Sequence, residues 1–177
     1  EYINQIAEKY PGREELFLEA YPLKDSASIW NAYGNFQSDQ SFHLHNRNWA
    51  KQMNKGGNQV YMYYFSKTPL ERYPKKYGAF HGAEISYTLN NIENDPGPIG
   101  SGTISNSDKN YADKVSDYWV NFIKTGNPNG ENQTDWPLWN PQTENYLNFG
   151  DQIEAKNQLL KDRLDALERF LAADPKK

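Results

Sequence analysis

Apolar positions recur along this chain with two different periods, and each period predicts a kind of element. Tyr2, Ile3, Ile6 and Ala7 fall at helical spacing, and Tyr10-Pro11-Gly12 stops that helix. A second helix is predicted over Glu14 to Tyr21, with Leu16, Phe17, Leu18 and Ala20 as its apolar material before Pro22. Ser26 suits the N-cap of a third, which runs through Ile29, Trp30, Tyr33 and Phe36. Asp39-Gln40-Ser41-Phe42 leads into a longer helix through Leu44, Trp49, Ala50 and Met53, closed by Lys55-Gly56-Gly57.

The pattern then changes. Gln59-Val60-Tyr61-Met62-Tyr63-Tyr64-Phe65 is a β-branched and aromatic run without polar alternation, predicting a central parallel strand buried on both faces. Asn90 to Gly102 is rich in turn formers and reads as a surface excursion. A core helix follows from about Asp108 to Thr125, carrying Tyr111, Ala112, Val115, Trp119, Val120, Phe122 and Ile123, with Gly126 as its cap. After a loop from Asn127 to Trp139, Tyr146-Leu147-Asn148-Phe149 predicts a short alternating edge strand ending at Gly150. One last helix is predicted with Ile153, Leu159, Leu160, Leu164, Leu167, Phe170 and Leu171 as its stripe. The class is α/β: few strands flanked by several helices, with no repeat and no internal domain boundary in residues 1–177. Two strands are few for a freestanding layered domain and natural for the end of a larger sheet.

Composition narrows the function. The 177 residues are 37% hydrophobic and 15% aromatic, enough for a core. Nineteen Lys and Arg against 23 Asp and Glu give a net charge of −4, which provides no basic field for a nucleic acid. The absence of cysteine excludes disulfide frameworks and thiolate metal sites. No run approaches the roughly 18 apolar residues of a membrane span. The chain opens at Glu1 with neither a Met nor an apolar signal segment, and so reads as an internal piece of something longer.

Three histidines are the candidates for chemistry. His43 and His45 lie on a predicted helix, where residues two apart point about 200° apart and do not converge on one metal ion. His81 sits in Tyr77-Gly78-Ala79-Phe80-His81-Gly82-Ala83-Glu84-Ile85, between glycines that allow close backbone approach and leave the imidazole free to reach a neighbour. A loop histidine commonly does no more than bond a carbonyl. As a general base it needs a nucleophile on one side and an orienting carboxylate on the other. The segment Ser66 to Lys76, polar and proline-broken, reads as an exposed linker or as the border of a substrate entrance.

Taken with Tyr118-Trp119-Val120-Asn121-Phe122-Ile123-Lys124-Thr125-Gly126-Asn127-Pro128-Asn129 and Trp136-Pro137, the His81 segment resembles the C-terminal part of type-B carboxylesterases. These α/β-hydrolases include para-nitrobenzyl esterases, cholinesterases and the non-enzymatic neuroligins. The resemblance runs from about Ser38 to about Leu171. It implies that His81 is the histidine of a Ser-Glu/Asp-His triad whose serine and acid lie upstream, with a small-molecule carboxylic ester as substrate and no metal or organic cofactor. It implies a second, supporting role for Glu84, and Tyr73 and Tyr77 are the residues of the preceding loop expected to contact substrate. None of the ten serines has a glycine two positions before it, so no Gly-x-Ser-x-Gly elbow is present, and the chain alone is expected to hydrolyse no ester. By itself it is expected to self-associate through surface that a larger sheet would cover. The resemblance to bacterial esterases points to a bacterial source with an exported parent. A neuroligin-like binding module is the other reading, and the His81-Gly-Ala-Glu context weighs against it because a binding module needs no imidazole there.

Overall fold

In a computed structural model of the chain, residues 2–68, 78–94 and 104–173 are described, the side chains of Tyr2, Ser26 and Ala27 excepted. They gather into two compact units, one from residues up to 58 and from 158 onward, the other from 59 to 157.

The first unit is helical. Its elements are α1 (Tyr2–Lys9), α2 (Glu14–Ala20), α3 (Ser26–Ser38), α4 (Leu44–Lys55) and α7 (Lys161–Ala172). The cap of α3 lies one residue earlier than the sequence predicts. Asp25 accepts from the Ser28 amide at 2.8 Å while the Ser28 hydroxyl accepts from the Asp25 amide at 2.9 Å, a reciprocal capping box. Between α3 and α4 the backbone stays helical through a π turn, Asp39–His43, so the two predicted helices form one run. Phe17, Phe36 and Phe170 meet edge-on in the core, with ring centres 5.3 to 5.9 Å apart. Arg13 donates to the carbonyls of Phe170 and Leu171 at 3.0 and 3.3 Å, satisfying the C-terminal turn of α7. The buried Arg47 of α4 pairs with Asp165 of α7 at 2.6 Å, and Lys51 with Glu168 at 2.8 Å.

The second unit holds β1 (Tyr63–Phe65), α5 (Ile85–Thr88), α6 (Asn106–Thr125), β2 (Tyr146–Phe149) and β3 (Ile153–Lys156). The strands are ordered β1-β2-β3, with β1 parallel to β2 and β2 antiparallel to β3. Three sequence expectations change here. The run from Gln59 makes a strand only from Tyr63 on, and that strand is half-exposed rather than buried on both faces; among the described residues it pairs with β2 alone. Tyr146–Phe149 is the central strand, buried at every position, because it is paired on both sides. Ile153 begins a strand and not the last helix: the turn at Gly150–Gln152 folds residues 153–156 back onto β2, and cross-strand pairing outweighs helix-like spacing. Positive φ at Gln158 and Leu160 then separates β3 from α7.

α6 is capped at one end by Ser105, whose hydroxyl accepts from the Asp108 amide at 3.1 Å, and at the other by Gly126 with φ of +77°. It lays Ala112, Val115 and Tyr118 on Leu147 and Phe149 of the sheet. The loop after α6 is held by side chains acting as backbone. Asn129 accepts from the Trp136 amide at 2.6 Å and donates to the Trp136 carbonyl at 3.0 Å. The Trp136 indole donates to the Met62 carbonyl at 2.8 Å, so the loop closes over the start of β1.

Candidate functional site

The polypeptide from Gly78 to Asn94 resumes the chain after β1, and its conformation follows from two glycines. Gly78 and Gly82 both take positive φ, +52° and +82°, which a residue with a Cβ rarely adopts. The Ala83 amide donates to the Phe80 carbonyl at 3.0 Å, so residues 80–83 form a β-turn with His81 and Gly82 at its two corners. Positive φ at the second corner is what a type II turn demands, and glycine supplies it without strain. His81 is exposed at the first corner.

The turn runs straight into α5. The Ile85 amide donates to the Gly82 carbonyl at 3.1 Å, and the Glu84 carbonyl accepts from Tyr87 and Thr88 at 3.0 and 2.9 Å. Ala83 is buried, as is Tyr87, whose ring lies 5.5 Å from Phe65 of β1 and 5.8 Å from Tyr111 of α6. Apolar burial just beyond the turn therefore fixes where its polar corner points. Glu84 is half-buried, and its Oε1 accepts from the Tyr63 hydroxyl at 3.5 Å. Burial pushes Tyr63 up to about 12, with the negative charge of Glu84 and the hydrogen bond to it adding to the shift.

At the carboxyl ends of the parallel pair, the amides of Ser66 and Lys67 both donate to the Phe149 carbonyl at 2.9 Å. The Ser66 hydroxyl donates to Asn148 Oδ1, also at 2.9 Å. Strand ends of this kind are where open α/β sheets place their sites.

The predicted residues thus divide. The turn brings His81 and Glu84 into one short, anchored segment, and Tyr63 joins them from the sheet, a residue that sequence reasoning assigned to the core. Tyr73 and Tyr77 lie outside the described residues. His43 and His45 belong to the helical unit, where His43 Nδ1 lies 2.7 Å from the buried carboxylate of Asp39 and His45 is exposed. Among the described residues no group of three or more His, Asp and Glu side chains is gathered as a metal ion would need. An exposed imidazole at the corner of a hydrogen-bonded turn can take up and release a proton, provided another group supplies the nucleophile.

Asp39 is the charged group sequence reasoning missed. Its oxygens receive hydrogen bonds from Tyr21 at 3.0 Å, His43 at 2.7 Å and the Nη2 of Arg163 at 2.9 Å, and the Arg163 Nε lies 2.6 Å away as an ion-pair contact. Burial pushes its carboxyl up, but those hydrogen bonds and the Arg163 charge outweigh it and hold Asp39 below the usual carboxylate range. An arginine 124 positions away gives no sequence signal.

Comparison with known proteins bears on both units. A family model described as the carboxylesterase family matches residues 3–167. Liver carboxylesterase of Sus scrofa is 30% identical over 135 residues, 72% of this chain and 23% of that protein. Carboxylesterase 4A of Bos taurus is 29% identical over 152 residues, 82% of this chain and 26% of that protein. Acetylcholinesterase 1 of Caenorhabditis briggsae is 28% identical over 138 residues, 74% of this chain and 22% of that protein. The chain therefore spans about a quarter of the length of these relatives. The crystal structure of a Geobacillus stearothermophilus carboxylesterase superposes with a TM-score of 0.71 at 19% identity, covering 93% of this chain and 34% of the other.

Proposed function

This chain belongs to the carboxylesterase family, and we propose that it is the C-terminal, histidine-bearing part of a serine carboxylic ester hydrolase of the type-B, para-nitrobenzyl esterase kind. Its fold is that of part of an α/β-hydrolase, a few strands flanked by several helices. The observation that carries the proposal is the His81 turn: an imidazole exposed at the corner of a β-turn made by a left-handed glycine, anchored by buried Ala83 and Tyr87.

In the whole protein His81 takes the proton from a serine supplied upstream as that serine attacks the ester carbonyl. It returns the proton to the departing alcohol, leaving an acyl-enzyme. Water then repeats the sequence: His81 takes its proton during attack on the acyl group and gives it to the serine as the acid leaves. The imidazole must be neutral at each attack. An acid, also from upstream, orients the ring, and Glu84 supports the turn. Small-molecule carboxylic esters are the substrate class, and Tyr73 and Tyr77, which precede the turn in sequence, are proposed to touch them.

The 177 residues alone hold no serine elbow and are expected to turn over no ester. Apart from its parent the chain is expected to associate with itself, supported by Trp30, Trp49 and Ile123, which are 77%, 67% and 80% exposed. The test is p-nitrophenyl ester hydrolysis by the full-length protein and by this chain. His81→Ala is expected to abolish the activity of the first, and the second is expected to show none. Full activity in the His81→Ala protein refutes the role of His81, and turnover by the isolated chain that disappears with His81→Ala refutes its inactivity.

A further inference from the structure

Tyr63 opens β1, and its ring is held from three directions. Its centre lies 5.3 Å from Trp119 on α6, 6.0 Å from Trp136 in the clamped loop and 6.1 Å from Phe149 on β2, each pair steeply inclined. Edge-to-face contacts of this kind set the direction of a ring as well as its burial. Although Tyr63 is 37% exposed, its phenol is aimed, and the hydroxyl it carries meets Glu84.

Glu84 stands where the His81 turn becomes α5. That helix is a single turn, Ile85–Thr88, too short to hold its own direction. Tyr87 pins it to Phe65 and Tyr111. Buried Ala83 seats the end nearer His81, but its methyl gives little directional hold there. The Tyr63–Glu84 contact lies at that point. The Tyr63 hydroxyl, raised to about 12, stays protonated and donating over the pH range in which a Glu carboxylate accepts.

We propose that Tyr63 is a positioning residue that holds the Glu84 carboxylate and, through it, ties the turn presenting His81 to the sheet. The inference rests on the reading of His81 as the proton-transfer group, but its own mechanical content can be measured apart from catalysis. Tyr63→Phe keeps the ring and its three aromatic neighbours while removing the donor. Glu84→Leu removes the acceptor at similar size, and Glu84→Gln keeps an acceptor oxygen.

The test combines amide hydrogen exchange at Ala83 and Ile85 with kcat and KM of the full-length protein. Tyr63→Phe and Glu84→Leu are each expected to speed exchange about twofold, the low end for one hydrogen bond because the contact is long, and the double variant no further. Glu84→Gln is expected to recover most of the protection. The kcat is expected to fall several-fold in the single variants with KM unchanged. Effects of Tyr63→Phe and Glu84→Leu that multiply in the double variant, or unchanged exchange in Tyr63→Phe, overturn the proposal. Retained activity in His81→Ala removes the catalytic reading instead, and the exchange cycle still decides whether Tyr63 holds the turn.

Discussion

Replacing Asp39 by Asn tests whether the helical unit depends on one buried charge. The carboxylate is fully buried and receives three donors on two oxygens, His43 and Arg163 Nη2 on Oδ1 and Tyr21 on Oδ2, while the Arg163 Nε lies 2.6 Å from Oδ2 as an ion-pair contact. An Asn keeps one acceptor oxygen and places an NH2 where the other stood. Its best arrangement turns the amide toward His43, whose Nδ1 can accept, and leaves Nη2 of Arg163 facing a donor. Breaking a buried ion pair costs roughly 3–5 kcal/mol. The Arg163 side chain is 25% exposed and can recover water, so about 2–3 kcal/mol is the expected loss.

The assay is urea unfolding of the chain followed by circular dichroism at several pH values. Because Asp39 titrates lower in the folded state than in the unfolded one, its contribution is complete above the unfolded value, about pH 4. It is lost as pH falls further, through the folded value. The gap between wild type and Asp39→Asn is therefore widest at neutral pH and closes on acidification. A neutral-pH difference under about 0.5 kcal/mol, the range of ordinary surface changes, or a gap that widens as acid is added, refutes the reasoning.

Two further substitutions bear on the sheet and one on a helix. A Cβ at Gly150 stands 2.7 Å from Asn148 Nδ2 and 2.9 Å from Ser66 Oγ, so Gly150→Ala is expected to break the Ser66–Asn148 hydrogen bond and destabilise by about 1–2 kcal/mol in a thermal melt. Gly34→Ala serves as its opposite: nothing lies within 4 Å of a Cβ there, inside an exposed part of α3, and a gain of about 0.5–1 kcal/mol is expected in the same melt. Asn129→Ala strips both backbone partners from Trp136, with an expected cost of about 2–3 kcal/mol and faster exchange of the Trp136 amide; protection equal to wild type would show that water replaces the side chain.

Helices were legible in the sequence because their signals are local. The periodicity over Asp108 to Thr125 meets α6 within two residues, and Gly126 caps it as expected. Strands were less legible because their status depends on neighbours. Tyr146–Phe149 reads as an alternating edge, yet pairing on both sides makes it central, and Ile153–Lys156 has helix-like spacing until Gly150–Gln152 folds it back. The aromatic run from Gln59 is only partly buried at Tyr61 and Phe65, which pack against the core, and the ring of Tyr61 is met by Trp136 and Phe122 of α6 rather than by strands on both faces. At the candidate site, His81 and its glycines were visible as a motif. The hydroxyl facing Glu84 was not, since Tyr63 looks like any other aromatic in an apolar strand, and the Asp39 cluster depends on residues brought together from opposite ends of the chain.

That last arrangement has a consequence for how the chain comes off the ribosome. The helical unit needs residues 158 onward, because Phe170 fills its core and Arg163 meets Asp39, whereas the sheet unit draws on residues 59–157. The earlier of its two segments must therefore wait, with Phe17 and Phe36 uncovered and the Asp39 carboxylate without Arg163, while roughly a hundred residues are translated, on the order of ten seconds at typical speeds. Residues 59–157 can begin to pair and pack in that time. During that interval the helices up to residue 58 are the natural client of a chaperone, and a stall before residue 163 would leave their apolar faces uncovered.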